Sequence, residues 1–367
     1  MVPRGIVRVC VLLLAYSEAQ IFDFTHFESV LLPQWLDLFR AGPSPGSFSF
    51  LSSNASSVGP TLYGSADVAH VLATTNLLHN LSSTDRAAWA AQINSFQIQD
   101  SGFFALKPWE QAGLQPWHSA AYATAALVLL GAQPAWPLHW AVSVAEGGPA
   151  AWQAEFAGLL NVTTPTCSSI WCMGHKIAAF PAALLMTRGP ARDREFFEWW
   201  TGMYLAPAVD PRTAMWCERK EWGPPNVACL GGAFHMDFVL TALQVPLFLP
   251  RTLINVVSSM QSSETGLWGG VDPNYIDLDG VYQVVRPAAQ LGESSEWAIA
   301  RTACVRYLGA AEVSLKDPTR VLGAAYGANT HILPAAVSGV AECAKFFPEL
   351  VRTTRPWVQT LDVAPFV

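Results

Sequence analysis

Six residues in this chain are suited to acid–base work. His118 and His235 could act as bases, Tyr122 as an acid, and Asp237, Asp277 and Asp279 as carboxylates that give or take protons. A histidine of pKa about 6.5 and a tyrosine of pKa about 10 form a workable pair for removing a proton beside a carboxylate and returning one to a leaving oxygen. Two carboxylates, Asp237 with Asp277 or Asp279, would instead suit hydrolysis of a glycosidic bond. Residues able to hold a polar ligand stand near them in sequence: Tyr282 (a second candidate acid), Arg286, His175, His331 and Trp268, with Arg286 the natural partner of a substrate carboxylate. Spacing of three or four residues puts His118 with Tyr122 on one helical face, and likewise Asp279 with Tyr282 and Arg286. A polar residue at a helix start often only caps the helix or satisfies a buried hydrogen bond. Here the pattern recurs in separate parts of the chain, which argues for a shared site.

The elements that would position these residues repeat. Apolar segments headed by a polar residue begin near Asp67, His118, His175, His235, Asp279 and His331. They recur at roughly 50-residue intervals, room for two helices and two loops. Amphipathic helices are expected between them, at about 25–39, 85–98, 149–160, 192–205, 250–261 and 297–309. The pattern predicts an all-α fold, an (α/α)6 toroid of six helical hairpins. The inner helices would point their N-termini at one end of a central cavity. Five histidines, His70, His118, His175, His235 and His331, fall on those inner helices.

Three turns share a local pattern: Gln99-Asp-Ser-Gly-Phe-Phe104, Asp210-Pro-Arg-Thr-Ala-Met-Trp216 and Glu264-Thr-Gly-Leu-Trp268. Each has an acidic residue, a hydroxyl residue, a small residue for a tight turn, and an aromatic two positions later. The sharpest copy, Gln261-Ser-Ser-Glu-Thr-Gly-Leu-Trp268, resembles the QW repeat of the terpenoid cyclase and protein prenyltransferase superfamily, with Val257 and Arg251 also matching. That resemblance implies an α/α toroid and leaves the activity open.

Its chemistries fit poorly. A class II cyclase uses an Asp-x-Asp-Asp acid, whereas Asp277-Leu278-Asp279-Gly280 supplies two of the three carboxylates. No Asp-rich magnesium motif and no Asp-x-Cys zinc pair are present. Trp171-Cys-Met-Gly-His175 resembles the zinc segment of lanthionine-synthetase-like toroids, but the Cys-His-Gly segment that completes such a site is missing, so no metal or other cofactor is expected. Secreted α/α toroids include polysaccharide lyases and glycosidases. The analogy implies a lyase or hydrolase working on a polar, glycan-like substrate. An altered cyclase and a non-catalytic binding or scaffold toroid are the alternatives.

Composition sets the surroundings. Only 13% of residues are charged and 51% are hydrophobic, as expected where most helices are packed on several sides. A net charge of −7 offers no basic footprint for nucleic acid. Residues 1–19 read as a signal peptide, with Arg4 and Arg8 ahead of a short apolar run, and no membrane span is expected after its cleavage. Asn54, Asn80 and Asn161 head glycosylation triplets. Six cysteines remain beyond the leader: Cys167, Cys172, Cys217, Cys229, Cys304 and Cys343. Disulfides between sequence neighbours are expected in an oxidising compartment. The expected organisation is a signal peptide at 1–19, a toroid at 20–347 and a C-terminal strap at 348–367. The protein would be a monomer, secreted or in the endomembrane lumen, meeting a small-molecule or glycan substrate.

Overall fold

The computed structural model describes residues 20–52, 59–107, 110, 115–160, 169–217 and 226–367. The expected leader, Asn54, Asn161 and Cys167 lie outside them. The described chain is mostly helical, and its only strands are the two-residue Phe22–Asp23 (β1) and Val351–Arg352 (β2), which pair in parallel.

The helices are α1 (Leu32–Phe39), α2 (Leu62–Thr74), α3 (Ser83–Asn94), α4 (Pro116–Leu129), α5 (His139–Glu146), α6 (Gly148–Phe156), α7 (Ile170–Arg188), α8 (Arg194–Glu198), α9 (Val227–Ala242), α10 (Pro250–Met260), α11 (Tyr275–Leu291), α12 (Ser294–Lys316), α13 (Pro318–Val321) and α14 (Leu333–Phe346). Six of them, α2, α4, α7, α9, α11 and α14, are buried on nearly every side. Each packs on the next in chain order, and α14 returns to pack on α2. Their apolar residues run all round the helix, as burial on all sides requires.

These inner helices start where the sequence supplies a chemical reason. Thr61, Ser169, Asn226 and Asn274 accept hydrogen bonds from the first free backbone N–H groups of α2, α7, α9 and α11. The other two, α4 and α14, carry a proline in the first turn, where its missing N–H costs nothing. Five of these starts precede the expected ones, by two residues for α4, four for α11 and five for α2; α7 begins five residues before His175 and α9 eight before His235. The true caps are Ser169 and Asn226, so both histidines sit one to two turns inside their helices.

The repeated turns act as pins. Gln261 Nε2 donates to Gly266 O at 2.8 Å and to Ala303 O at 3.0 Å, tying the turn to α12. Trp268 Nε1 donates 2.7 Å to Val257 O on α10, and the indole lies against Gly280 of α11. Trp216 repeats the bond, donating to Leu205 O eleven residues back, the same separation as Trp268 to Val257. The small turn residue has positive φ in all three copies: Gly102, Ala214 and Gly266.

Of the expected cysteine pairs, Cys217–Cys229 is a disulfide, and Cys172 is disulfide-bonded as well. Cys304 and Cys343 are buried thiols with their sulfurs 2.6 Å apart. Asn80 is exposed. The helix α7 is long and apolar enough to cross a bilayer, but most of it is buried between α4 and α9. It is a core helix of the described fold.

The segment after α14 begins on the outside. Glu28 accepts from the Thr354 backbone and from Trp357 Nε1 at 2.8 Å, and the Trp357 ring packs on Phe24 and Phe27. From there it turns inward: Ala364, Pro365, Phe366 and Val367 are all buried.

Candidate active site

Near the N-terminal ends of the inner helices is a cavity of about 330 Å3. Five expected residues line it, each from a different part of the chain: His118, His175, His235, Asp279 and His331. Trp171, Tyr275, Ile332 and Val367 supply most of the remaining wall. A volume at the lower end of the ligand-pocket range suits a single small molecule.

The histidines form a chain of ring contacts. His118 and His175 have ring centroids 4.5 Å apart, and His175 and His235 4.4 Å. His118 Nδ1 is 2.6 Å from the Tyr63 hydroxyl, and His235 Nδ1 donates to Gly231 O at 2.6 Å. Burial, and then the neighbouring histidines, hold His118 and His175 well below the usual histidine range. Burial lowers His235 to about 4, opposed by its bond to Gly231. These three rings are therefore neutral at physiological pH.

His331 is held differently. Its Nδ1 lies 2.9 Å from Asp67 Oδ1, on α2, and 3.4 Å from the Tyr275 hydroxyl. The same Asp67 carboxylate accepts the Tyr122 hydroxyl at 2.7 Å and the Thr330 hydroxyl at 2.5 Å. A carboxylate on Nδ1 fixes the imidazole tautomer with the proton on that nitrogen and leaves Nε2 as the basic one. Behind them Tyr122 stacks on His70, at 4.4 Å, and on Tyr63, at 5.5 Å.

Asp279 supplies the opposite function. It is 1% exposed, and neither carboxyl oxygen has a hydrogen-bond partner among the described residues. Burial, and then the Asp277 charge, push its pKa well above the carboxylate range, so it carries its proton at neutral pH. The cavity thus holds an oriented histidine and a protonated carboxylic acid. Among the described residues, no three His, Cys, Asp or Glu side chains are grouped to hold one metal ion.

The other expected site residues lie elsewhere, for identifiable reasons. Asp277 accepts from the backbone N–H of Trp268, Gly269 and Asn274 and forms a capping box with Asn274. It is the N3 member of the capping box of α11, raised to about 7 by burial against the pull of those three donors. Asp237 is two residues after His235, and such an offset turns a helical side chain to another face. It is buried away from the cavity wall, and burial raises its pKa well above the ordinary range. Tyr282 and Arg286 share a helical side with Asp279 but lie one and two turns further from the cavity end, the latter roughly 10 Å along the axis. Arg286 pairs with Glu342 and Asp362, and its guanidinium covers the Tyr282 ring at 4.8 Å. Its charge is already neutralised. Trp268 is the turn pin described above, and Tyr122 works behind the wall through Asp67.

Sequence reasoning placed Asp67 at the head of an inner helix without a role in the chemistry, passed over Tyr63 and Tyr275, and expected residues 348–367 as a strap with no part in the cavity. One signal was available for Asp67: a lone acid in the otherwise apolar DVAHVLA run of a buried helix needs a partner.

No family model matches the chain, and neither a curated protein nor a solved structure is significantly similar to it.

Proposed function

We propose that this chain is a secreted α/α toroid of six helical hairpins whose cavity performs acid–base chemistry on a small polar, sugar-like molecule. The observation that carries this reading is a pair of groups lining one cavity: His331, set by Asp67, and the protonated Asp279. The cyclic packing of α2, α4, α7, α9, α11 and α14 supports the toroid. The Cys217–Cys229 disulfide and the exposed Asn80 triplet suit an oxidising, secretory compartment.

In the proposed reaction His331 Nε2 takes a proton from a carbon beside a carbonyl, and the electron pair moves to form a C=C bond. The C–O bond at the next carbon breaks, and Asp279 gives its proton to the departing oxygen. A lyase-type elimination uses one base and one acid, and His331 and Asp279 can fill those roles. Hydrolysis by two carboxylates would need Asp237 or Asp277, and neither lines the cavity. Among the described residues no Lys or Arg lines it either, so an uncharged sugar derivative fits better than a uronate.

The altered-cyclase reading keeps Asp279 as acid, at the second carboxylate of Asp277-Leu278-Asp279. Protonating an alkene needs a strong acid, whereas burial makes Asp279 a weak one and no neighbour among the described residues bonds its oxygens. A binding toroid is the remaining reading, and one experiment separates it. Incubating purified protein with a panel of neutral sugars, aldonates and uronates in D2O should exchange a substrate C–H for deuterium or give an unsaturated product. His331→Ala should abolish both. A panel on which the wild type leaves every C–H untouched, while one member binds, would favour the binding toroid.

A further inference from the structure

We infer that Phe366 and Val367 form the floor of the cavity and set the size of ligand it accepts. This rests on the reading above only in taking the cavity for the substrate site. The path of the segment carries the inference. Asp362 pairs with Arg286 and Lys345, both in the far halves of their helices. The Val358 backbone donates to Thr74 O, at the C-terminal end of α2, and Gln359 Nε2 donates to Ser338 O at 3.1 Å. The segment therefore enters the hollow from the end opposite the histidines. It then runs inward: the Phe366 ring reaches Phe238 at 5.6 Å, His118 at 5.3 Å and His235 at 6.1 Å, and Val367 is part of the cavity wall. Two apolar side chains thus close the bottom of a chamber whose upper wall is polar. A ligand placing oxygen atoms by Asp279 and His331 would extend its apolar face or tail toward Phe366.

A binding series that needs no turnover tests this. Thermal midpoints are measured with n-alkanols of increasing length, the hydroxyl a probe for the polar wall and the alkyl chain a gauge of depth. Wild-type protein should be stabilised up to a cut-off length, by about 2 °C at tenfold excess over the dissociation constant. Phe366→Ala should move the cut-off several carbons longer, Phe366→Leu less far, and Val367→Phe should shorten it. If Phe366→Ala does not fold, the other two variants decide. An identical cut-off in all the folded proteins, or no stabilisation by any alkanol, overturns the inference. Asp279→Asn should keep the wild-type cut-off while losing turnover, so this series and the acid–base reading fail separately.

Discussion

Asp67 and His331 stand 264 residues apart in the chain, yet the Asp67 Oδ1 and the His331 Nδ1 are 2.9 Å apart. The contact exists because α14 packs on α2, which brings the two ends of the helical series together. His331 precedes α14 and Asp67 sits in the second turn of α2, so packing and chemistry share one junction.

Replacing Asp67 with Asn keeps the shape of that junction and removes its charge. The amide can donate to Nδ1, which favours the tautomer with the proton on Nε2 and removes the base. Turnover of Asp67→Asn should fall by at least about 10²-fold with little change in KM. Nitrogen chemical shifts of His331 should report the proton on Nε2 instead of Nδ1. Unchanged shifts alongside lost activity would mean Asp67 acts only through packing.

Asp279 invites a test in which function and stability move in opposite directions. Its pKa is raised in the folded state, so around neutral pH the folded protein holds a proton that the unfolded chain releases. Stability from this group is therefore full below the unfolded value, about 3.9, and declines as pH rises above it. Asp279→Asn removes the penalty without changing the volume. The variant should melt higher than wild type at pH 7–8 and at the same temperature near pH 3.5, while turnover is lost. Residues kept at a cost to stability are expected at working sites. A lower melting point at pH 7 would mark Asp279 as a structural group.

The helical series was legible in the sequence because all-round burial leaves long apolar runs and because each run opens on a capping or polar residue. The expected heads, Asp67, His175, His235 and Asp279, lie inside their helices, and the residues that cap them are Thr61, Ser169, Asn226 and Asn274. The gathering of His118, His175, His235, Asp279 and His331 followed once those runs were taken as neighbours in space. What periodicity does not encode is depth along a helix: Asp279, Tyr282 and Arg286 share a side but occupy different levels. Nor does it show which of two nearby carboxylates is committed to backbone N–H groups, and Asp277, not Asp279, is the one in the capping box. The inward path of Phe366 was hidden for another reason, since a short Pro-containing segment carries no period to read.

His70 tests the electrostatics of the buried ring stack. It is fully buried against Tyr122, and desolvation lowers it to about 4, with the Asp67 charge opposing the shift. The unfolded chain binds this proton from about pH 6.5 downward, the folded one only near 4, so unfolding takes up a proton in that window. Stability is full above about pH 6.5 and is lost as pH falls, by up to about 1.4 kcal/mol per pH unit for this group alone. His118, His175 and His235 shift in the same direction and add to the slope. His70→Phe preserves the aromatic stack and should make the dependence of unfolding free energy on pH shallower by that amount between pH 4.5 and 6. Denaturant titrations at half-unit pH steps measure it, and parallel curves for variant and wild type would refute the assignment.

The turn that resembles a QW repeat makes the sharpest claim about the scaffold. A Cβ placed on Gly280 would sit 2.2 Å from the Trp268 ring, whose own N–H is fixed to Val257 on the preceding helix. The indole cannot move aside without giving up that bond, and α11 cannot retreat without disturbing the capping box of Asn274 and Asp277 and the placement of Asp279 one residue before Gly280. Gly280→Ala should therefore destabilise the protein by about 3 kcal/mol, in the range of core overpacking, and lower turnover in the fraction that remains folded. Ala in place of Gly269, where the added Cβ would stand 3.1 Å from Ile276 Cβ and Cγ2, a tight contact and not the 2.2 Å overlap met at Gly280, should cost less than half as much. Trp268→Phe should partly rescue Gly280→Ala, because the smaller ring yields the space, although it also forfeits the bond to Val257. A double-mutant cycle in which the two effects simply add would show that Trp268 and Gly280 do not hold α10 and α11 together as this contact requires.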